Sequence, residues 1–496
     1  MNSGVERKFM KIRSIISLLL AIVMLATALV GCGSTKSNEE ETTNPSGNVE
    51  TEDSGRKLPD LRWDRELRVL GHESETAQYA TVSITAEAPT DSISTDVYNR
   101  NILLEEQYGI TIKQTGESKP STTVNKEYFA GESSYDLVFL QVYEIKEMMA
   151  AGCSLADLYD TEAFPYLYFE KDCWNSYVNE TISINNKLYA TTGYLNLQEK
   201  MNTALLFYNR DMLKNINSTI DPVALVRSGD WTLEKLAQLR ADATVTDGVT
   251  GEVSTYGMSI TNTRAFYHYV AGCEVNIIGK DNNDTPKFVI DNERTLSVID
   301  AVLKVTNGSD GGTFFSTKSA TLQDSKDLFL QGKALILDDM LCFVDTLKAD
   351  GSFDYGFLPY PKYNTDQENY YSNIHSYFSA LFAVPAMAQN KEFISFALQA
   401  LNESSKQLND NYIEVNCQLK GSIDIEALEM LQIATAMPVY DLGVVFGWGA
   451  IHIWIFVDYG KFPSLPVGGV NNFKTAYAAY EGQAQIELDR FLDYIK

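Results

Sequence analysis

The sequence predicts an α/β protein built on parallel sheets. Three observations lead there. A short alternating run, Glu66-Leu67-Arg68-Val69-Leu70, is followed by a helical stretch that stops at Gly109 and by a second alternating run, Ile110-Thr111-Ile112. Asp136-Leu137-Val138-Phe139-Leu140 is continuously apolar after its first residue, as a strand covered on both faces must be. Strand, helix, strand, helix, strand within about 80 residues is the signature of parallel pairing with crossover helices.

The elements follow in order. Ser94, Thr95 and Asp96 are residues of N-cap type, Val97, Leu104 and Tyr108 share a side, and Gly109 suits the left-handed stop. The pattern restarts after Tyr208. Thr232 is placed to cap a helix carrying Leu233, Leu236 and Ala237, with Glu234 favourable in its first turn. Tyr256–Ile260 and Leu335-Ile336-Leu337 read as further strands. Near the C-terminus Phe473, Tyr477, Tyr480, Ala484, Leu488, Phe491 and Ile495 recur every three or four residues, which predicts a core-facing helix whose aromatic stripe serves packing.

Composition limits the function. The 496 residues carry 40 Lys+Arg against 66 Asp+Glu, a formal charge of −26. Such a balance argues against nucleic-acid backbones and anionic membrane surfaces, both of which call for clustered Lys and Arg. With 45% hydrophobic residues the chain is able to bury a sizeable core, and its length allows two or three domains.

The first 31 residues read as a targeting segment. Lys8, Lys11 and Arg13 precede an uncharged apolar run from Ser14 to Val30. Leu29-Val30-Gly31-Cys32 resembles the bacterial lipobox, which implies cleavage before Cys32 and lipidation of its thiol. Residues 32–60 are Ser, Thr, Asn, Glu and Gly with few apolar side chains, and read as a flexible tether. Beyond Cys32, five cysteines remain without metal-ligand spacing. They read as small buried hydrophobes, with Cys153–Cys173 the shortest candidate disulfide loop.

Several segments together resemble the extracellular solute-binding proteins of ABC importers, in the maltose and oligosaccharide-binding group. Glu105-Glu106-Gln107-Tyr108-Gly109-Ile110 is similar to that family's helix-to-strand turn, and Tyr135-Asp136-Leu137-Val138 to its buried strand. Asn186-Lys187-Leu188-Tyr189-Ala190, Leu206-Phe207-Tyr208-Asn209-Arg210, Trp231-Thr232, Phe329-Leu330-Gln331-Gly332-Lys333-Ala334 and Phe357-Leu358-Pro359-Tyr360-Pro361 match further family motifs in family order. Asn186 stands where Gly is usual, and Arg210 in place of Lys.

The resemblance implies a two-lobe periplasmic-binding-protein-like fold. Each lobe is a mainly parallel sheet flanked by helices, with the ligand cleft at the hinge. Mapped by motif, residues 61–203 and 338–402 form lobe 1, and 204–337 and 403–496 form lobe 2. It implies an ABC permease as partner; the lipobox implies attachment to the membrane through the Cys32 lipid on the extracytoplasmic face, and the acidic charge balance excludes nucleic acid as a partner. The protein is expected to act as a monomer, without cofactor or metal.

A sugar offers hydroxyls at its edges and C–H groups on its faces, so a binder needs flat aromatics together with carboxylates or amides. Parallel sheets present such groups just beyond the carboxyl ends of their strands. His72 and Glu73 follow the first strand, and Gln141 and Tyr143 the third. Asn262 and Arg264 follow Tyr256–Ile260, and Asp338 and Asp339 follow Leu335-Ile336-Leu337; of that adjacent pair, one is expected to face the cleft. The resemblance places Asn202 on the first hinge, where relatives are able to carry a carboxylate. Trp448, flanked by Gly447 and Gly449, is a candidate ring for the cleft.

No GxGxxG, Walker loop, GxSxG or HExxH occurs, and His72, His268, His375 and His452 share no metal-site spacing. Asp281-Asn282-Asn283-Asp284 lacks the Gly and Glu of a calcium loop and reads as a polar turn. The function expected is capture of a carbohydrate, an oligosaccharide, for an ABC transporter. The alternatives are a lipid-anchored glycoside hydrolase or lyase, for which carboxylates abound, and a sensory ligand-binding lipoprotein.

Overall fold

A computed structural model describes residues 55–150, 152–260, 265–306, 311–315, 323–350, 352–376, 378–419, 422–451, 471 and 473–495. The expected signal segment, Cys32, most of the tether, Asn262, Arg264 and His452 lie outside them.

Strand β1 (Arg65–His72) leads to helix α1 (Ser92–Tyr108), strand β2 (Ile110–Glu117), helix α2 (Pro120–Ala130) and strand β3 (Leu137–Gln141). β1 lies parallel to both β2 and β3, as the strand–helix alternation predicts. The start of α1 differs from expectation. Asp91 is the cap, its side chain accepting the Ser94 N–H at 2.7 Å, and the Ser94 hydroxyl answers by accepting the Asp91 N–H at 3.1 Å. Two clusters of cap-type residues compete in this stretch, and the earlier one wins because its partner sits three residues on. The helix ends at Gly109, whose φ of 65° is a left-handed conformation that costs glycine little.

Helix α3 (Ser176–Ile182) follows, and then the fully buried strand β4 (Ala204–Asn209). Helix α4 (Leu233–Ala243) is capped by Thr232 as expected and buries Leu233, Leu236 and Leu239. After strand β5 (Val245–Thr246), strand β6 (Val253–Ile260) runs so close to α4 that a side chain at Gly257 would collide with the Arg240 carbonyl. Helix α5 (Ala265–Gly272), the hairpin β7 (Ile278–Lys280) and β8 (Pro286–Phe288), and strand β9 (Thr313–Phe315) come next. Helix α6 (Gln323–Leu330) precedes strand β10 (Ala334–Met340), and strands β11 (Tyr355–Leu358), β12 (Ser372–Asn373) and β13 (Ala380–Ala383) follow. Helix α7 (Lys391–Glu403), helix α8 (Lys406–Asn416), strand β14 (Pro438–Val439) and the long helix α9 (Phe473–Tyr494) come last among the elements that bear on the site.

Two principal sheets result. The first has the order β13-β3-β1-β2 and is parallel except for β13. The second has the order β11-β4-β10-β6-β5, with β9 also on β6. The second sheet is mixed, not mainly parallel. β4 is wedged antiparallel between β10 and β11, because the chain enters it from the edge at which β10 ends. The expected return to lobe 1 at Asp338 does not coincide with a change of sheet. β11 still pairs with β4, and the next strand of the first sheet is β13.

Each sheet is packed on an apolar interior. Val69, Leu70, Leu137, Val138 and Leu140 fill the first, and Leu205, Leu206, Phe207, Leu335, Ile336 and Leu337 the second, all at or below 1% exposure. Each such side chain contributes roughly 1.5–3 kcal/mol relative to leaving it in water. Trp63, ahead of β1, rests on Phe393 and Phe396 of α7, with ring centroids 5.4 and 5.6 Å away. α9 buries Phe473, Tyr477, Ala484, Leu488 and Phe491, the stripe read from its spacing. Cys153, Cys173, Cys273, Cys342 and Cys417 are free thiols, three of them buried.

Candidate functional site

The carboxyl ends of β1 and β3 bring His72 and Glu144 together. His72 Nε2 lies 2.7 Å from Glu144 Oε2, and both side chains are buried. The backbone N–H of Gln141 also donates to Glu144 Oε2, at 2.9 Å. The other carboxylate oxygen accepts the Ser121 hydroxyl at 2.8 Å and the Ser121 N–H at 3.2 Å. Burial pushes the Glu144 carboxyl up, but the His72 and Ser121 hydrogen bonds and the Gln141 N–H together hold it below its ordinary value. The group ties α2 and the turn after β3 to the end of β1. Of the neighbouring candidates, Glu73 is exposed, while Gln141 and Tyr143 are half-buried. The Tyr143 N–H reaches the Ser376 carbonyl at 3.2 Å.

The second sheet presents a different set. Asn202 is fully buried just ahead of β4, where a short helix ends. Its Nδ2 faces three carbonyls, those of Gln78 (3.0 Å), Gln198 (3.0 Å) and Phe378 (2.9 Å). At the end of β10 the adjacent Asp338 and Asp339 point to different partners, as an extended chain requires. Asp338 Oδ2 accepts the Tyr360 hydroxyl at 2.9 Å, and His268 Nδ1 stands 3.2 Å from that hydroxyl and 3.7 Å from Asp338 Oδ1. Asp339 pairs with Lys326 of α6 at 2.9 Å, and the ammonium also lies over the Phe343 ring. Burial pushes the Asp339 carboxyl up in spite of Lys326.

Between these two sets runs a row of rings. Tyr79, from the loop after β1, lies 4.5 Å from Phe378, which stacks on His375 at 4.1 Å and 14°. His375 in turn lies 6.5 Å from His268 on α5. The Tyr79 and Phe378 end is half-buried and the histidine end is buried. Beside the row the Cys342 thiol donates to Gln78 Oε1 at 2.8 Å, joining the end of β10 to the loop after β1. Burial raises that thiol to about 12, so it stays protonated. Glu199 closes the flank, accepting the hydroxyls of Thr192 (2.9 Å) and Tyr440 (3.0 Å).

Of the candidates read from the sequence, Asn202, Asp338 and Asp339 border this row. His72 is drawn into the Glu144 pair, and Trp448 lies elsewhere. Its ring is buried against Phe446, 5.2 Å away at 8°, and Phe491 of α9. Sequence reasoning missed Gln78, Tyr79, Lys326, Tyr360, Phe378 and Tyr440, and noted His268 and His375 only as poor metal ligands. Among the described residues no His, Cys, Asp and Glu group has the arrangement to hold a metal ion. Asp281 accepts the N–H groups of Asn283 (2.8 Å) and Thr285 (3.0 Å), a polar turn.

No protein-family model matches the sequence, and no curated protein does. Solved structures do match. The extracellular solute-binding protein from Staphylococcus aureus in complex with maltose aligns at TM-score 0.55 and 14% identity, covering 89% of this chain and 100% of that one. A sugar transporter from Rhizobium etli in an open conformation gives 0.54 and 13%, covering 87% and 100%. The ABC substrate-binding protein Lmo0181 from Listeria monocytogenes, in complex with cycloalternan, gives 0.51 and 15%, covering 85% and 98%. The chain therefore has the two-lobe solute-binding-protein fold. No helix among the described residues is long and apolar enough to cross a membrane.

Proposed function

We propose that the protein is a lipid-anchored extracellular solute-binding protein that captures an oligosaccharide between two lobes and hands it to an ABC permease. The observation that carries this reading is the row Tyr79–Phe378–His375–His268, flanked by Asn202, Asp338, Asp339 and Glu199, at the meeting of the two sheets' strand ends. Flat rings beside carboxylates and amides suit the faces and edges of a sugar. The row is open at Tyr79 and closed at His268, so a ligand of any length enters only when the two halves part. Ligand touching both halves then draws them together, since only differential affinity moves such an equilibrium.

In this reading Cys32 carries the lipid and residues 32–60 the tether. Sheet membership supports lobes divided at Thr203 and again between Leu358 and Ala380, with β12 and β14 on the hinge. The sugar-bound proteins from Listeria monocytogenes and Staphylococcus aureus and the sugar transporter from Rhizobium etli, all structurally similar, support a carbohydrate ligand.

The test is a thermal-shift screen of the purified protein against mono- and oligosaccharides, with product analysis of every hit. A ligand present at ~100 times its dissociation constant should stabilise by about 2.7 kcal/mol, a shift of a few degrees. A shift with the sugar recovered intact supports the binding protein. A shift with cleavage products would replace it by a hydrolase, and no shift with any sugar would remove carbohydrate as the ligand.

A further inference from the structure

A second concavity shares no lining residue with the aromatic row. It is a cavity of about 270 Å³ among α3, the end of α5, the β7 strand and the β12–β14 ribbon. Its floor is Ala271, Ile278, Val439, Tyr371 and Asp441, all buried, and its rim carries the exposed Glu180, Glu274 and Asn276. The walls come from both halves of the molecule. Asn179 of α3 holds Thr191, which bridges to Phe382 of the first sheet, whereas α5 directly follows β6 of the second.

Three features describe what this cavity suits. The rings of Tyr177 and Tyr371 stand 6.1 Å apart and splayed by 38°, offering one aromatic face each. Asp441 sits at the floor with its carboxylate oxygens bound to the Ile277 and Gly443 N–H groups at 2.6 Å, and among the described residues no Lys, Arg or His pairs with it. Buried carboxylates ordinarily have a counter-charge, and burial here pushes Asp441 up to about 7. The cationic group on the rim is already engaged: the Lys280 ammonium bonds Asp284 at 2.7 Å, the Ser183 hydroxyl at 2.9 Å and the Glu180 carbonyl. The remaining charge is negative, from Glu180, Glu274 and Asp441, with Glu274 only loosely joined to Arg294 at 3.6 Å.

We propose that this cavity is a second ligand site, taking a single-ring polyol that carries a positive charge, an amino sugar. A volume just under the range of drug-sized pockets holds one ring and not an oligosaccharide. The tyrosine faces receive the C–H side of the ring or its ammonium, Asn276 takes hydroxyls, and Glu180, Glu274 and Asp441 supply the negative charge that the ammonium balances. Because its walls belong to both halves, its occupancy varies with how far they are parted. The inference is independent of which ligand the aromatic row takes.

The experiment is titration calorimetry of the full protein with D-glucosamine, D-glucose and N-acetyl-D-glucosamine, the last two being uncharged. Glucosamine should bind one to one, and each uncharged sugar at least ten-fold more weakly. Glu180→Gln with Glu274→Gln, both at exposed positions, should weaken glucosamine ten-fold or more, and Asp338→Asn should leave it unchanged. Unchanged melting of the double variant confirms that the loss is local. Absence of glucosamine binding, equal binding of glucose, or loss in Asp338→Asn instead of the glutamate variant would each overturn the second site. The last result would assign the amino sugar to the aromatic row.

Discussion

The polar residues beyond the strands of the first sheet and those beyond the second stand in similar places and live in opposite conditions. His72 and Glu144 satisfy each other, and Ser121 and Gln141 fill what is left of the carboxylate. Asp339 is instead pushed up by burial although Lys326 stands 2.9 Å away, and Asp338 accepts the Tyr360 hydroxyl with His268 Nδ1 3.7 Å from its other carboxylate oxygen. The lesson is that a position past a strand end does not make a ligand contact. What distinguishes the two is the balance at the buried carboxylate: hydrogen bonds outweigh burial at Glu144, and burial outweighs Lys326 at Asp339.

The sharpest way to break this comparison is Glu144→Ala, which leaves a buried histidine without its partner. It should cost about 3–5 kcal/mol in urea unfolding while leaving the ligand affinity of the folded fraction unchanged. A cost under about 1 kcal/mol would show the pair to be dispensable. Asn202→Asp comes next. A carboxylate in place of the amide would face the carbonyls of Gln78, Gln198 and Phe378, at a cost of about 3 kcal/mol at neutral pH. Acidification should recover much of it, because protonation restores a donor; stability that does not respond to pH would contradict the geometry.

Asp338→Asn tests the other side. Ligand affinity should fall by more than about ten-fold, roughly 1.4 kcal/mol, with melting temperature nearly constant. A large drop in melting with intact affinity would make Asp338 structural like Glu144. The smallest effect is in pH dependence, and its sign differs between the two ends. Glu144 is held below 4.5, so its contribution is complete above that pH and is lost as the solution is acidified through the depressed folded value. Asp339 is raised above 3.8, so its native state binds the proton more tightly, and stability falls as pH rises from 3.8 through the raised value. Stability curves of Glu144→Gln and Asp339→Asn against the parent protein should therefore diverge in opposite directions across the acid range.

Much of the fold was legible because it is written locally. The apolar run Leu137–Leu140 and the glycine stop at Gly109 each declare an element without reference to anything distant. Pairing direction is not local, and nothing in Ala204–Asn209 reveals that it lies antiparallel between strands more than a hundred residues away. The site divides the same way. Asp338 drew notice because it adjoins an apolar strand, and Asn202 because the family resemblance places a polar residue there. Tyr79, His268, His375 and Phe378 lie in loops and a helix without shared spacing, and only the folded chain makes a row of them. Trp448 shows the converse: its glycine-flanked position suggested an offered ring, but α9 covers it with Phe491.

The strand orders also govern how the molecule can be assembled in time. The first sheet takes its edge strand from Ala380–Ala383, and the second cannot enclose Ala204–Asn209 until Tyr355–Leu358 exists. A ribosome that has made 350 residues has therefore completed neither half, and the apolar Leu205-Leu206-Phe207 segment still lacks a flanking strand. Long loop closures of this kind slow folding, so neither sheet closes until strands far along the chain are available.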